Sequence, residues 1–516
     1  MQLKHIILSV FVSAAFWGSA QAQSIDDALT FSNDEIAGSA RLKGMGNVHT
    51  AIGGDISSIN GNPAGLGFFS RSDISITFNA LNNSYKTNFL NQNTSNNKTT
   101  FGVDQAGAVF AFPSRRNYGW QNFNVGLSYN KNNNFNNALK YNGINENSTI
   151  VNTLTDIMDG NTEFENDFYD SYLVEKFQNS SLGYFPIAKE NGQKEQYNDI
   201  LNSGHQSRIA MSFGANYNNS FYIGATLGIS SFTYNKSTIF SEYGWTKGVD
   251  EIAKDNPTSN LIDPNHEDYD FANASYDLFD EFVQKTEGTG LDFKLGMIFK
   301  PAVDWNIGIT INTPTKYNIS EDGGYFTDVF YYDNEQTQES FYDYEYKSDF
   351  YSDYKLTTPW KLSVGATKFF GGGLITADAE YVTYNTTKFS SANGSMNNGY
   401  EDMNQDIKDL YKGAFNIRVG GEYLMTDALS ARAGVNFFGN PYQGGIEDKK
   451  YNGSLGLGYK LTNNLYMDLA VVHQINTYSE APYTLSNFWL DRGRVEPIAD
   501  IKHSRTSGII TIGAKF

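Results

Sequence analysis

The chain has 516 residues, a formal net charge of −19, 34 Tyr, 37 Phe and no cysteine. A hydrophobic content of 40% and a mean hydropathy of −0.45 are too low for a bundle of membrane helices, and the acidity argues against nucleic acid, whose phosphates need cations. The missing thiols exclude a disulfide framework and a lipoprotein anchor.

Lys4 and His5 make a short polar start, Ile6 through Phe16 an apolar core, and Ala20-Gln21-Ala22 an A-x-A cleavage site. This reads as a cleaved signal peptide over 1–22, and no later stretch reaches the roughly 18 apolar residues of a membrane helix. Residues 23–71 are rich in glycine and small residues yet too apolar for a linker, as in Gly44-Met45-Gly46 and Asn62-Pro63-Ala64-Gly65-Leu66. They read as a compact hatch. Glycines 44, 46, 53 and 54 lack the strand and the Gly-Lys-Ser/Thr of a phosphate loop, so close packing is the simpler reading.

From 72 to 516 the chain alternates with period two between turn residues. Candidate strands lie near 72–80, 104–113, 121–131, 206–217, 221–233, 289–300, 304–317, 355–369, 374–386, 413–424, 428–438, 451–461, 464–475 and 504–516. Most have the roughly 9–11 residues a tilted strand needs to cross hydrocarbon. Short turns such as Asn218-Asn219-Ser220, Gly371-Gly372-Gly373, Thr426-Asp427 and Thr462-Asn463 alternate with long polar loops. That is an up-and-down barrel with short periplasmic turns. Pro359 is placed on the outer part of the eighth strand, because a turn there breaks the alternation. The last strand ends on Phe516 with Ala514, Ile512 and Ile510 on the same face, resembling the signal read by the barrel assembly machinery. The fold class is all-β: a transmembrane antiparallel β-barrel of about fourteen strands, 72–516, with an N-terminal hatch, 23–71, plugging the lumen.

The run 38–69, with Gly38-Ser39-Ala40-Arg41, Gly44-Met45-Gly46, Thr50-Ala51-Ile52-Gly53-Gly54-Asp55 and Asn62-Pro63-Ala64-Gly65-Leu66, resembles the FadL family of outer-membrane transporters. Thr313-Pro314-Thr315 and Pro359-Trp360 are similar to that family too. The resemblance implies uptake of long-chain fatty acids or other hydrophobic compounds, with the cargo leaving sideways through a kinked third strand. Gly126 is the glycine placed for such a kink, and Asn62, Pro63, Ala64 and Gly65 are the hatch motif.

Charges in lumen phase are Arg208, Asp292, Lys294, Lys361, Asp378, Glu380, Arg418, Glu422, Arg432 and Asp468. A paired network holding the hatch is the simplest reading, and Arg418 or Arg432 is the candidate for a ligand carboxylate. The acidic stretches at 263–270, 321–322 and 342–345 lack the spacing of a calcium loop, so no metal is assigned. None of the six histidines sits in phase with a serine or acid to build a nucleophile–base pair, so no enzyme and no cofactor is expected. Expected partners are outer-membrane lipid and lipopolysaccharide, a hydrophobic small molecule, and the assembly machinery acting on a monomer. The alternatives are a surface-exposed adhesive barrel displaying acidic loops and an open diffusion porin.

Overall fold

The computed structural model describes residues 25–33, 37–115, 118–158, 162–332, 339–392, 400–444 and 448–516; the expected signal peptide lies outside them. Eighteen strand segments join in one antiparallel sheet, and where four of them resume a neighbour after a short break they make a closed barrel of fourteen strands. In chain order these are β1 (Asp73–Phe89), β2 (Gln92–Pro113), β3 (Trp120–Asn134, then Asn137–Asn145), β4 (Lys194–Tyr217), β5 (Phe221–Trp245) and β6 (Ser275–Ala302). Then come β7 (Trp305–Asn312, then Lys316–Tyr332), β8 (Tyr342–Thr357, then Lys361–Phe370), β9 (Gly373–Thr383, then Lys388–Ser391) and β10 (Gly413–Leu424). The last four are β11 (Leu429–Phe438), β12 (Lys449–Lys460), β13 (Leu465–Glu480) and β14 (Ala499–Lys515). β14 closes on β1 from Asp73↔Lys515 to Phe89↔Ala499, and the Phe516 amide donates to Ser72 O at 2.9 Å. Pro314 and Pro359 sit in the breaks of β7 and β8, where a residue without an N–H removes no ladder bond.

Outward residues form an apolar belt, including Met211, Leu227, Leu295, Ile309, Val364, Val419, Leu457 and Val471. Aromatics flank it on both rims: Trp305, Phe370, Tyr423 and Tyr459 near the short turns, Trp360, Tyr381, Phe415 and Tyr451 near the long connections. Among the described residues no helix is long and apolar enough to cross a membrane.

Several expected outer loops are strand. Residues 81–103 continue β1 and β2 into a ribbon whose tight turn has positive φ at Leu90 (49°) and Asn91 (65°). Beyond the belt, β4 to β6 run on to Lys194, Trp245 and Ser275. The connections above them fold as a cap, with helices α3 (Ile150–Met158), α4 (Thr162–Tyr169), α5 (Val249–Asp255) and α7 (Asn487–Leu490). A further helix, α6 (Glu401–Leu410), lies between β9 and β10. The cap has its own apolar core of Leu154, Phe168, Phe185, Tyr276 and Trp489.

Inside the barrel lie α1 (Ile25–Ser32), α2 (Ala40–Gly44) and two 3₁₀ turns, Ile56–Ile59 and Pro63–Phe68. Their backbone is irregular, so its polar groups need partners from side chains. Ser39 and Asp55 cap α2 and the first turn and bond to each other at 3.0 Å. Asn62 caps the second turn through Ala64 N at 3.0 Å and ties it to Thr50 O at 2.6 Å. The wall supplies the rest. Thr511 Oγ1 accepts from Ala40 N, Ser454 Oγ from Gly46 N, and one Asp378 oxygen from His49 N, Thr50 N and Thr50 Oγ1. Asn306 and Thr367 donate to Ala51 O, Thr226 to Ile59 O, and Asn124 to Leu66 O and Phe69 O.

Such contacts need the two backbones to approach closely, and glycines of the wall allow it. Gly214, Gly224 and Gly296 are aligned neighbours on β4 to β6, and a Cβ on any of them overlaps the Asn62–Leu66 turn. Gly308 and Gly365, paired on β7 and β8, face Thr50; Gly420 and Gly434, paired on β10 and β11, face Met45 and Gly46. Gly434→Val is expected to push the hatch off this wall at a cost of about 1–3 kcal/mol and to raise single-channel conductance in a planar bilayer. Gly508→Val, with nothing within 4 Å of the added carbon, is the control and should stay silent. Equal conductance for both variants contradicts the packing argument.

Candidate functional site

A cavity of about 340 Å³ lies in the lumen between two parts of the N-terminal segment. Thr30, Phe31, Ser32 and Asn33 at the end of α1 line one side, and Asn47, His49, Asn60 and Gly61 of the hatch the other. Its walls come from β3 to β12, through side chains such as Gln206, Arg208, Lys294, Asn312, Lys361 and Arg418. The lining is mostly amide, hydroxyl and charge, with Leu42, Pro359, Val382 and Phe438 as apolar contacts.

Arg418 is buried between two carboxylates: Nη2 donates to Glu380 at 2.7 Å, and Nη1 lies 3.5 Å from Asp378. Arg432 lies on the other side of the Met45–Gly46 contact. Its Nε reaches Glu422 at 2.6 Å and its Nη1 Asp468 at 2.5 Å, while Glu422 also takes a two-pronged contact from Arg41 at 2.9 Å. Arg432 therefore faces a second, open cleft at the short-turn end, with Arg41, Asp55 and Tyr466. The two candidate arginines share a phase but serve different cavities. Both stand in the paired network expected as the simplest reading, with Arg208–Asp292 and Lys43–Asp104 as further members. Asp104 points inward because an extra residue in β2 shifts the register opposite Thr77/Phe78.

Of the hatch motif, Asn62 binds Met297 O at 3.2 Å, Pro63 and Ala64 lie buried against the wall, and Gly65 packs on Gly53 and Ser58 within the hatch; none lines the cavity, whose floor is Asn60 and Gly61. At Gly126 the ladders to Val109 and Ser212 are unbroken, and the missing side chain makes room for Ile59 and Leu66. Gly126 admits the hatch, and no kink forms there. β3 is irregular between Lys131 and Asn133, five residues beyond the expected point.

Above that irregularity the wall has a gap. β2 and β3 pair only from Gln105↔Asn130 to Pro113↔Asn122; beyond, β2 pairs with β1 and β3 with β4. Side chains bridge the space: Asn96 to Lys140 O at 2.9 Å, Asn134 to Thr100 Oγ1 at 3.1 Å, and Lys131 lying over Gly102. A smaller cavity behind the gap is lined by Lys131, Asp104, Leu81, Val472 and Ile509 and shares Asn133, Phe438 and Lys450 with the main one. Nothing in a single strand's pattern marks such a gap, since it is a property of the pairing.

The acidic stretch at 263–270 forms a 3₁₀ turn, Glu267–Phe271, capped by His266; among the described residues no group of three or more His, Asp or Glu is placed to hold a metal ion. His49 contacts Asn47 O, His473 contacts Thr506 Oγ1, and His503 stacks on Tyr85.

α1 sets Asp27 against the wall above the apolar belt, beside the buried Glu321 of β7. Gln284 donates to Asp27, while Thr286 and Tyr354 donate to one oxygen of Glu321. Burial, with the Asp27 charge beside it, pushes the Glu321 carboxyl up to about 8. With α1 docked, Glu321 thus keeps a proton that it releases when the helix leaves, so docking is strongest in acid and weakens as pH rises toward 8. Amides of residues 25–33 should be better protected from exchange at pH 5 than at pH 9, after correction for intrinsic rates. Glu321→Gln should remove that difference; equal protection in the parent protein at both values refutes the latch.

No protein-family model matches the chain, and no curated relative does. Solved structures do. A Pseudomonas aeruginosa FadL homologue aligns over 92% of this chain and 98% of its own, at 15% identity and a TM-score of 0.51. The Pseudomonas putida toluene transporter TodX aligns over 94% and 99%, at 12% identity and a TM-score of 0.52. Closed fourteen-strand wall, packed N-terminal segment and end-to-end alignment agree: this chain has the fold of the FadL-type outer-membrane barrels.

Proposed function

We propose that this protein is a gated outer-membrane transporter for small, largely hydrophobic molecules, with 23–71 as its hatch and lateral release into the membrane. The observation that supports this best is the gap between β2 and β3 behind a cavity that adjoins the main lumen site. An apolar cargo dropped into the periplasm loses about 0.8 kcal/mol for each CH₂ returned to water, whereas a side exit delivers it to the hydrocarbon of the bilayer across a short polar seam. Unpaired backbone is costly beside lipid. Here amide and hydroxyl side chains occupy the opening, and they can be displaced without breaking a ladder.

In this reading the chain is a monomer exported with its signal peptide cleaved and inserted by the assembly machinery through Phe516. Its neighbours are outer-membrane lipid and lipopolysaccharide, and it carries out no catalysis. The exit lies at Lys131–Asn133 rather than at Gly126. A porin requires an open lumen, which the wall-to-hatch bonds oppose. Surface display has one specific support, the packed cap.

Cells with and without the protein, given a labelled long-chain fatty acid and toluene, decide between transport and display. Uptake should fall at least several-fold without the protein; unchanged uptake of both favours display. A short cross-linker between cysteines at Gly102→Cys and Lys131→Cys should reduce uptake similarly, and a cleavable linker should restore it on cleavage. Full uptake with the positions linked rules out an exit there.

A further inference from the structure

The cavity's chemistry is at odds with a plain hydrocarbon. In a chain of net charge −19, its lining carries five cations, Arg208, Lys294, Lys361, Arg418 and Lys450, against the lining carboxylates Asp292 and Glu380 and, behind Arg418, Asp378. Low-dielectric walls with an excess of one sign concentrate the opposite sign in the space between them. Beyond charge, the lining holds hydrogen-bonding capacity that the described residues leave unused. Arg418, 7% exposed, has no hydrogen-bond partner at Nε or Nη1 apart from the longer ion contact with Asp378. Gln206, 2% exposed, donates through Nε2 to Tyr317 and leaves its amide oxygen unpartnered; the Asn312 amide oxygen is unpartnered too. A buried donor or acceptor without a partner is costly, so a cargo that satisfies these groups gains strongly over one that cannot. The same site therefore asks for a negative group at Arg418 and for hydrogen-bond donors near Gln206 and Asn312.

Resting on the transport reading above, we propose that this cavity binds the head of an anionic amphiphile that carries amide or hydroxyl groups beside its carboxylate, an N-acyl amino acid or a hydroxylated acid. The charge meets Arg418, and the extra donors meet Gln206 and Asn312. The acyl tail lies along the apolar residues of the main cavity itself, Phe31, Leu42, Val382 and Phe438. A bare hydrocarbon leaves the unpartnered atoms of Arg418, Gln206 and Asn312 unserved, and a simple fatty acid serves only the cation. Discrimination of this kind is large because a site built to hydrogen-bond rejects an analogue lacking the group.

Binding to the purified, detergent-solubilised barrel tests the assignment with three probes: N-dodecanoylserine, dodecanoate and toluene. N-dodecanoylserine should bind at least tenfold more tightly than dodecanoate, with toluene weakest. Arg418→Gln should reduce binding of both anions at least tenfold and leave toluene unchanged, and Gln206→Leu should erase the preference for N-dodecanoylserine while sparing dodecanoate. Folding is checked by heat-modifiable migration; if Arg418→Gln fails to fold, Lys361→Gln takes its place with the same expectation. Equal binding of N-dodecanoylserine and dodecanoate, or folded variants that bind like the parent, overturns the proposal. Uptake by cells separates the two claims. Uptake of dodecanoate and toluene with no preference in the cavity leaves the transport reading standing without this one. Tight, Arg418-dependent binding with no uptake does the reverse.

Discussion

The structure depends on bringing one irregular backbone against another. A fourteen-strand barrel is too wide for its own side chains to fill, so the lumen must be occupied by chain, and that chain has no ladder of its own. Every amide and carbonyl it presents needs a partner. The wall provides them from strand after strand: Ser454 and Thr511 for amides, Asn306, Asn124 and Thr226 for carbonyls, and Asp378 for two amides and a hydroxyl together. These bonds require the side chain beside them to vanish. Glycine at 214, 224, 296, 308, 365, 420 and 434 meets that requirement around much of the circumference. Glycine weakens a strand interior, so so many on lumen-facing positions is a cost set against a hatch held to the wall.

From this constraint the electrostatics follow. Where hatch and wall touch, charges are buried in pairs, since an isolated one would be prohibitively expensive. Arg432 has two acids and Arg208 one, and Lys43 finds Asp104 only because a bulge in β2 turns that side chain inward. The space the hatch leaves empty keeps an excess of cations, although the chain as a whole is strongly acidic. Acids dominate instead on the outer strand extensions, as in Asp328 opposite Glu345 and Asp322 near Asp349 and Asp353. Positive interior and negative exterior are thus separated along one set of strands. On the transport function proposed above, an anion arriving from outside meets repulsion first and attraction only inside, which favours cargo whose charge is a small part of its surface.

The fourteen strands were visible in the sequence because each crosses lipid with apolar residues on alternate positions, as Phe221, Ile223, Ala225 and Leu227 do in β5. Above the belt the signal disappears. Residues 92–100 read as a loop because Asn, Thr and Lys occupy both faces, yet they extend β2 through an uninterrupted ladder to β1. The lumen charges were legible by phase, but which acid holds which arginine depends on register, and register is set by tight turns and bulges several strands away. Gly126 shows the limit most clearly. In one dimension a lone glycine in a strand suggests a bend. In the barrel it faces Ile59 and Leu66, and is one more position where the wall gives way to the hatch.

The gap between β2 and β3 is the other face of the same economy of hydrogen bonds. A closed barrel has no edges, and that closure is what lets it live in lipid. Opening one seam exposes two rows of backbone groups, so the seam must be furnished with polar side chains that answer them. The facing segments have that composition: Thr94, Asn96, Lys98 and Thr100 on β2, and Lys131, Asn133 and Asn134 on β3. Asn96 answers Lys140 O, and Lys98 reaches Asn202 O on β4. The polar run that concealed this stretch of strand from a hydrophobic pattern is the same run that makes an open seam affordable. A side chain can leave such a bond and return to it without unzipping a ladder, and the two strands stay anchored below by the nine residue pairs from Gln105↔Asn130 to Pro113↔Asn122. Lateral release at this seam, as proposed above, therefore needs no moving strand, only side chains that rotate.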